Sequence, residues 1–248
     1  MRVLVVILLY LIATTIYGKD CNNLLKRNFE NITVNKAEQI TEQNGLPSFC
    51  KVRGIINPNI GFEARLPYKN WNKKFFQAGC GGFCGLIEPD RSSQSNAINH
   101  ALRKGYAVIT TNGGHEGKHL GDANWAKNNP LAREVYAFSV IKFTYDAGHQ
   151  LIREYYDLKP IFSYFSGCSN GGRLAAKAAQ IYPELFDGII SGCPILNLTE
   201  NAGIFGPWLL QANLDQQKTE ILTSKFNVKL EWLEEYVLKK CDDLDGFK

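Results

Sequence analysis

Ile161-Phe-Ser-Tyr-Phe-Ser-Gly-Cys-Ser-Asn-Gly-Gly-Arg173 decides how this chain reads. Ile161 to Phe165 is an apolar, β-favouring run that leads straight into Gly167. The following Arg173 to Tyr182 is rich in helix formers and stops at Pro183. Strand, tight turn and helix therefore frame Gly167-Cys168-Ser169-Asn170-Gly171, a Gly-x-Ser-x-Gly pattern. A serine at such a turn sits in a strained backbone conformation, and glycine two residues to each side leaves room for it. The turn exposes the hydroxyl, while the helix N-terminus and the Asn170 amide favour a developing oxyanion. Ser169 is the candidate nucleophile; the competing reading is an ordinary glycine-rich strand-to-helix turn.

Outward from this turn, Lys51–Ile56 and Gly61–Leu66 predict short strands separated by the turn Asn57-Pro58-Asn59. Lys74–Ala78 and Tyr106–Thr111 are further β-favouring runs that end in glycine-rich loops. A long helix is expected after Pro130, with Val135, Phe138, Ile141, Tyr145 and Leu151 at roughly helical spacing. Asp187–Ser191 returns as a strand. Strands alternating with helices predict an α/β fold with a mostly parallel sheet covered on both faces. Ligands of such sheets gather at loops beyond the carboxyl ends of the strands. Three glycine-bearing loops qualify: 79–85, 112–117 and 167–172.

The 79–85 loop, Gly-Cys-Gly-Gly-Phe-Cys-Gly, is the expected source of the second oxyanion donor, through the amide of Gly81 or Gly82. It also reads as a flexible loop pinned by a Cys80–Cys84 bond, and both readings can hold together. A nucleophilic serine needs a base, which in this fold follows it in the chain. His100, His115, His119 and His149 all precede Ser169. His115, in the 112–117 loop, is a candidate substrate contact. His100 and His149 sit in helical contexts and read as packing or surface residues.

Twenty-eight basic against 24 acidic residues leave a formal charge of +4 with no basic stripe, which argues against nucleic acid as a partner. With 45% hydrophobic residues the chain is no disordered polymer. Val3–Ala13 is apolar but shorter than the roughly 20 residues of a spanning helix. It fits the apolar region of a secretory signal peptide, residues 1–18, cleaved after Gly18. A buried strand or an uncleaved anchor is the alternative. No other segment is apolar enough to cross a membrane. In a secreted chain the seven cysteines default to pairing, and seven leaves one over. Asn31-Ile-Thr33 and Asn197-Leu-Thr199 are N-glycosylation sequons.

Several stretches occur together in order: Trp71-Asn-Lys-Lys-Phe-Phe76, Gly81-Gly-Phe83, Thr110-Thr-Asn-Gly-Gly-His115, Asp122-Ala-Asn-Trp125, Ser163–Arg173 and Tyr182-Pro-Glu-Leu-Phe-Asp-Gly-Ile-Ile190. The series resembles the tannase/feruloyl esterase family of secreted α/β-hydrolases, from about Cys21 to Lys248. The resemblance implies that Ser169 is the nucleophile and that Asn170 supplies an oxyanion amide. It implies a disulfide from Cys168 to a cysteine beside the catalytic histidine, and an N-terminal bridge between Cys21 and Cys50. The family's catalytic Asp and His belong to a later part of its longer chains. Cys241-Asp-Asp-Leu-Asp-Gly-Phe-Lys248 resembles the start of the family's calcium loop, with Asp242, Asp245 and the Phe247 carbonyl as ligands and Cys241 as a half-cystine.

These readings divide the chain into the signal, an N-terminal part of the catalytic domain (19–200) and the start of an inserted lid (201–248). The expected function is secreted hydrolysis of aromatic esters, feruloyl or galloyl in type, free or polysaccharide-linked. The alternative is a truncated homologue that binds such esters without turnover.

Overall fold

Seven strands build one sheet: β1 (Ile32–Ile40), β2 (Phe49–Ile56), β3 (Ile60–Pro67), β4 (Lys74–Ala78), β5 (Ala107–Thr111), β6 (Phe162–Cys168) and β7 (Gly188–Gly192). The computed structural model describes residues 16–91, 97–220 and 226–245. The strand order is β1-β2-β3-β5-β4-β6-β7. The pairs β4–β5, β4–β6 and β6–β7 are parallel, whereas β1–β2, β2–β3 and β3–β5 are antiparallel. The sheet is therefore mixed, which corrects the expectation of a mostly parallel one. The connections explain it. β1, β2 and β3 follow one another through short turns, which only antiparallel neighbours allow, whereas parallel neighbours need a crossover. β1 itself, polar at most positions, was not foreseen.

Successive residues of β4 point to opposite faces, and Phe75 and Phe76 show what covers each. Phe76 joins the cluster of Phe49, Ala78, Ile98, Leu102 and Val108, which packs α1 (Asn99–Arg103) on one face. Phe75 meets the other face, where α3 (Val140–Tyr156) buries Ile141, Thr144, Gly148, Leu151, Ile152 and Tyr155 in one stripe. Gly148 is required there, because a Cβ would lie 2.5 Å from the Phe75 ring. The helix expected from Pro130 is not continuous in type. α2 (Pro130–Glu134) begins at Asn129, whose side chain caps the Ala132 amide, and a π-helical turn at Val135–Ser139 leads into α3. α4 (Asn170–Ile181) packs on β6 and β7.

Charge is buried on β3. Glu63 accepts from Arg65 Nε at 2.7 Å and from Arg53 Nε at 2.6 Å, and Arg65 reaches on to Asp90 at 2.7 Å. Burying these charges is tolerable because each is paired. The Arg65 guanidinium holds the Asp90 carboxyl down at about 2.

The chain divides into two compact units between Ile195 and Leu196. The second contains α5 (Leu198–Glu200), a π turn at Asn201–Phe205, α6 (Gly206–Ala212) and α7 (Phe226–Asp245). No helix among the described residues is long and apolar enough to cross a membrane. The signal segment lies outside the described residues except for Ile16–Gly18. There the Gly18 amide donates to the Tyr68 carbonyl at 2.9 Å and the Asn70 amide to Ile16 at 3.2 Å.

Candidate active site

Ser169 stands between β6 and α4 with φ 60° and ψ −120°, a conformation that L-residues rarely adopt. Neighbouring backbone enforces it. The Ser169 amide donates to the Gly192 carbonyl at 3.0 Å, and its own carbonyl accepts from Arg173 at 3.0 Å and Ile195 at 3.3 Å. The flanking glycines are needed for space. A Cβ on Gly167 would lie 2.4 Å from the Gly171 carbonyl carbon, and one on Gly171 would lie 2.9 Å from the Gly79 oxygen. The serine hydroxyl does not cap α4, and the helix begins at the amide of Asn170. The first amides of a helix have no acceptor within it, so they point where an oxyanion would form.

The same contacts bring the 79–85 loop against this turn. Cys80 and Cys84 form a disulfide. Gly82 has φ 59° and no room for a side chain, since a Cβ would lie 2.4 Å from the Leu120 carbonyl. The Cys84 amide closes the loop on the Gly81 carbonyl at 2.9 Å. Asn170 then ties loop to turn. Its buried side chain donates from Nδ2 to the Cys80 carbonyl at 3.0 Å and to Cys84 Sγ at 3.3 Å. Its Oδ1 accepts from Tyr136 Oη and from Arg173 Nε, both at 2.8 Å. Arg173 also donates to the Tyr136 and Ala137 carbonyls at 2.9 and 2.8 Å, reaching the π turn.

Tyr136 and Arg173 were not foreseen as part of the site. Arg173 carried a signal, as the last residue of the Gly-Gly-Arg run. Tyr136 carried none, because a π turn changes which residues face inward.

His115 is buried, and its Nε2 lies 2.6 Å from the Phe83 carbonyl, so Nε2 carries the proton. Its ring stacks on Trp125 with centroids 3.6 Å apart. Burial pushes its pKa down. The histidine thus braces the 79–85 loop through the Phe83 carbonyl. His149 Nε2 is 3.0 Å from Ser163 Oγ and its ring stacks on Tyr145. His119 Nδ1 accepts from the Gly121 amide at 3.2 Å, and His100 packs edge-on to Phe76.

Cys21 and Cys50 form the expected bridge. Cys168 and Cys241, expected as half-cystines, are in neither disulfide. The β6–β7 register sets Cys168 beside the end of β7, and its thiol is hydrogen-bonded to Cys193. Cys241 lies exposed on α7. The sequon residues Asn31 and Asn197 are both exposed. Asp242 and Asp245 lie within α7, and Phe247 is outside the described residues. Among the described residues no three His, Cys, Asp or Glu side chains converge as metal ligands. Two aspartates fall short of the roughly six to eight oxygens that calcium takes.

The sequence profile of the family described as tannase and feruloyl esterase matches residues 41–248. An uncharacterized esterase of Xanthomonas campestris pv. campestris is 32% identical over 95% of this chain and 41% of its own length. Mono(2-hydroxyethyl) terephthalate hydrolase of Piscinibacter sakaiensis is 32% identical over 81% of this chain and 37% of its own. The crystal structure of feruloyl esterase B from Aspergillus oryzae superposes with a TM-score of 0.68 at 25% identity, covering 79% of this chain and 41% of that one. The chain spans about two fifths of the length of these relatives.

Proposed function

Because this chain belongs to the tannase and feruloyl esterase family, we propose that it is the nucleophile-bearing part of a secreted serine carboxylic ester hydrolase. Its substrates in this reading are aromatic esters of the feruloyl or galloyl type, free or linked to polysaccharide. The observation that carries it is Ser169 at positive φ between strand and helix, with a disulfide-closed glycine loop held against it. Ser169 Oγ attacks the ester carbonyl, and the Asn170 amide with that of Gly81 or Gly82 receives the oxyanion. His115 holds the loop through the Phe83 carbonyl and stays the candidate substrate contact. The names of the relatives above, a feruloyl esterase and a terephthalate half-ester hydrolase, support an aromatic acyl group.

The proton acceptor is assigned to a histidine outside residues 1–248, oriented by an aspartate, as the resemblance implies. All four histidines of this chain contact groups other than Ser169. Two disulfides and two exposed sequons favour an oxidising, extracellular setting. A calcium ion on Asp242, Asp245 and the Phe247 carbonyl belongs to the proposal only with further ligands, and calorimetric titration of the native protein tests it.

The substrate class is tested by rates of the native secreted protein on methyl ferulate, methyl gallate and an aliphatic methyl ester. Preference for the aromatic esters supports it, and preference for the aliphatic ester overturns it. A second reading, ester binding without turnover by a chain of this length, is favoured by the engagement of every histidine elsewhere. A deglycosylated native mass near that of the chain, with ferulate ester bound but not hydrolysed, would establish that reading over the first.

A further inference from the structure

The turn Phe29-Glu-Asn-Ile32 leads the chain into β1, with Phe29 and Ile32 bridged across it. Asn31 holds the left-handed conformation, φ 61°, which asparagine adopts more readily than most residues. The turn is pinned from two directions. Gln150 of α3 accepts from the Glu30 amide at 3.0 Å and donates to the Glu30 carbonyl at 3.2 Å. The Asn57 amide donates to the Asn31 carbonyl at 2.8 Å. The exposed Asn31 side chain thus leaves a fixed backbone, and it borders a cavity of about 460 Å³ along α3. Phe143, Tyr145, Asp146, Gln150 and Arg153 line that cavity from the helix. Phe143 is 37% exposed, a large apolar ring with open surface on the cavity that the sequon asparagine borders.

We propose that Asn31 carries an N-linked glycan whose first N-acetylglucosamine docks in this cavity, against the Phe143 ring. The proposal rests on the secreted setting of the reading above and not on its ester chemistry. The donor is a polyprenyl-diphosphate-linked oligosaccharide of the secretory compartment. Asn31 Nδ2 forms a bond to the sugar C1 as the C1–O bond to the diphosphate breaks. Nδ2 gives up one proton, the lipid diphosphate leaves, and nothing is oxidised or reduced. Docking follows from the chemistry of both partners. One face of the hexosamine ring is apolar C–H, which suits an aromatic ring, while its hydroxyl and acetamide edge needs polar partners. On the cavity rim Glu30 and Asp146 offer acceptors and Arg153 offers donors.

The tether makes a weak contact count. A sugar already bonded to Asn31 meets Phe143 at an effective concentration on the order of millimolar, with no partner to recruit. Docked there, it would cover the open Phe143 ring and join the turn before β1 to α3 a second time. Asn197, the other sequon residue, lies at the start of the second unit, and its Nδ2 donates to Glu200 Oε2 at 3.5 Å. It serves as the internal comparison.

The test begins with peptide mapping of the protein made in a eukaryotic secretory host and deglycosylated by an amidase in ¹⁸O-labelled water. The expected result is conversion of Asn31 to labelled aspartate. A bare Asn31 overturns the proposal. If Asn197 is glycosylated or the protein reaches the medium, the proposal falls alone. If both sites are bare in protein kept inside the cell, the secreted setting falls with it. Docking is read in the Asn197→Gln background by thermal unfolding of two products. One is trimmed by an endoglycosidase to a single N-acetylglucosamine on Asn31, and the other is stripped by the amidase. The single sugar is expected to hold the midpoint about 3 °C above that of the stripped form. In Phe143→Ala, a change at an exposed ring that should fold, the gap is expected to close. Equal midpoints in the parent overturn the docking. So does a gap that survives in Phe143→Ala, because it would come from the aspartate that the amidase leaves at position 31.

Discussion

The Asn170 side chain donates to the Cys80 carbonyl across 3.0 Å, joining the residue after the candidate nucleophile to the disulfide loop that faces it. The backbone and side chain of this residue divide their work. The amide heads α4, while the carboxamide sets how far the loop stands from the turn. Both candidate oxyanion amides belong to segments that this one side chain connects.

Asn170→Ala should therefore cost both stability and shape. It strips partners from the Cys80 carbonyl, Tyr136 Oη and Arg173 Nε, all at a site only 1% exposed. Tyr136 Oη keeps the Gly82 carbonyl at 3.2 Å and Arg173 keeps its backbone bonds, so the loss of the buried bonds costs about 2 kcal/mol in total. Urea unfolding monitored by tryptophan fluorescence checks it, with the midpoint expected to fall at unchanged slope. A loss below about 0.5 kcal/mol would mean that the network is dispensable.

Two glycines separate steric need from propensity. Gly167→Ala drives a Cβ to within 2.4 Å of backbone at Gly171, where no flexible side chain can yield. It is expected to destabilise the protein by about 3 kcal/mol. Gly203→Ala meets nothing within 4 Å in a helical turn, and is expected to be neutral or stabilising by up to about 1 kcal/mol. Thermal unfolding of the two variants side by side decides the matter.

Acid should weaken the fold in a defined window through His149. Burial beneath Tyr145 and Phe75, with Arg153 and Lys159 nearby and only Asp146 opposing, lowers its pKa from 6.5 to about 4. The native state therefore takes up this proton later than the unfolded chain does. Its contribution is fully present above pH 6.5, declines as pH falls toward about 4, and is flat below that. The loss amounts to at most about 3 kcal/mol. Unfolding free energies between pH 7 and 4 should show this slope in the parent and lose it in His149→Gln, which keeps a hydrogen-bonding partner for Ser163 Oγ.

The legible parts of this molecule were those that local backbone demands impose. Ser169 needs glycine at 167 and 171, and both were in the sequence with a strand before and a helix after. The glycine-rich 79–85 loop was readable for the same reason. What escaped depends on contacts between distant segments. β1 is polar at most positions and gains its place only by pairing with β2, so alternation gave little sign of it. The mixed sheet adds to this hairpin the antiparallel pairs β2–β3 and β3–β5, the last joining strands far apart in the chain. Tyr136 reaches Asn170 only because a π turn rotates it inward, and helical spacing does not foretell such a turn. Cys168 and Cys193 meet through the register of β6 and β7, which spacing along the chain cannot supply.

The most direct test compares the native protein with its Ser169→Ala counterpart in steady-state hydrolysis of methyl ferulate. The account predicts that kcat falls by about 10⁴-fold or more while circular dichroism and KM stay near those of the parent. Turnover by Ser169→Ala within a few fold of the parent would contradict it and remove Ser169 as the nucleophile.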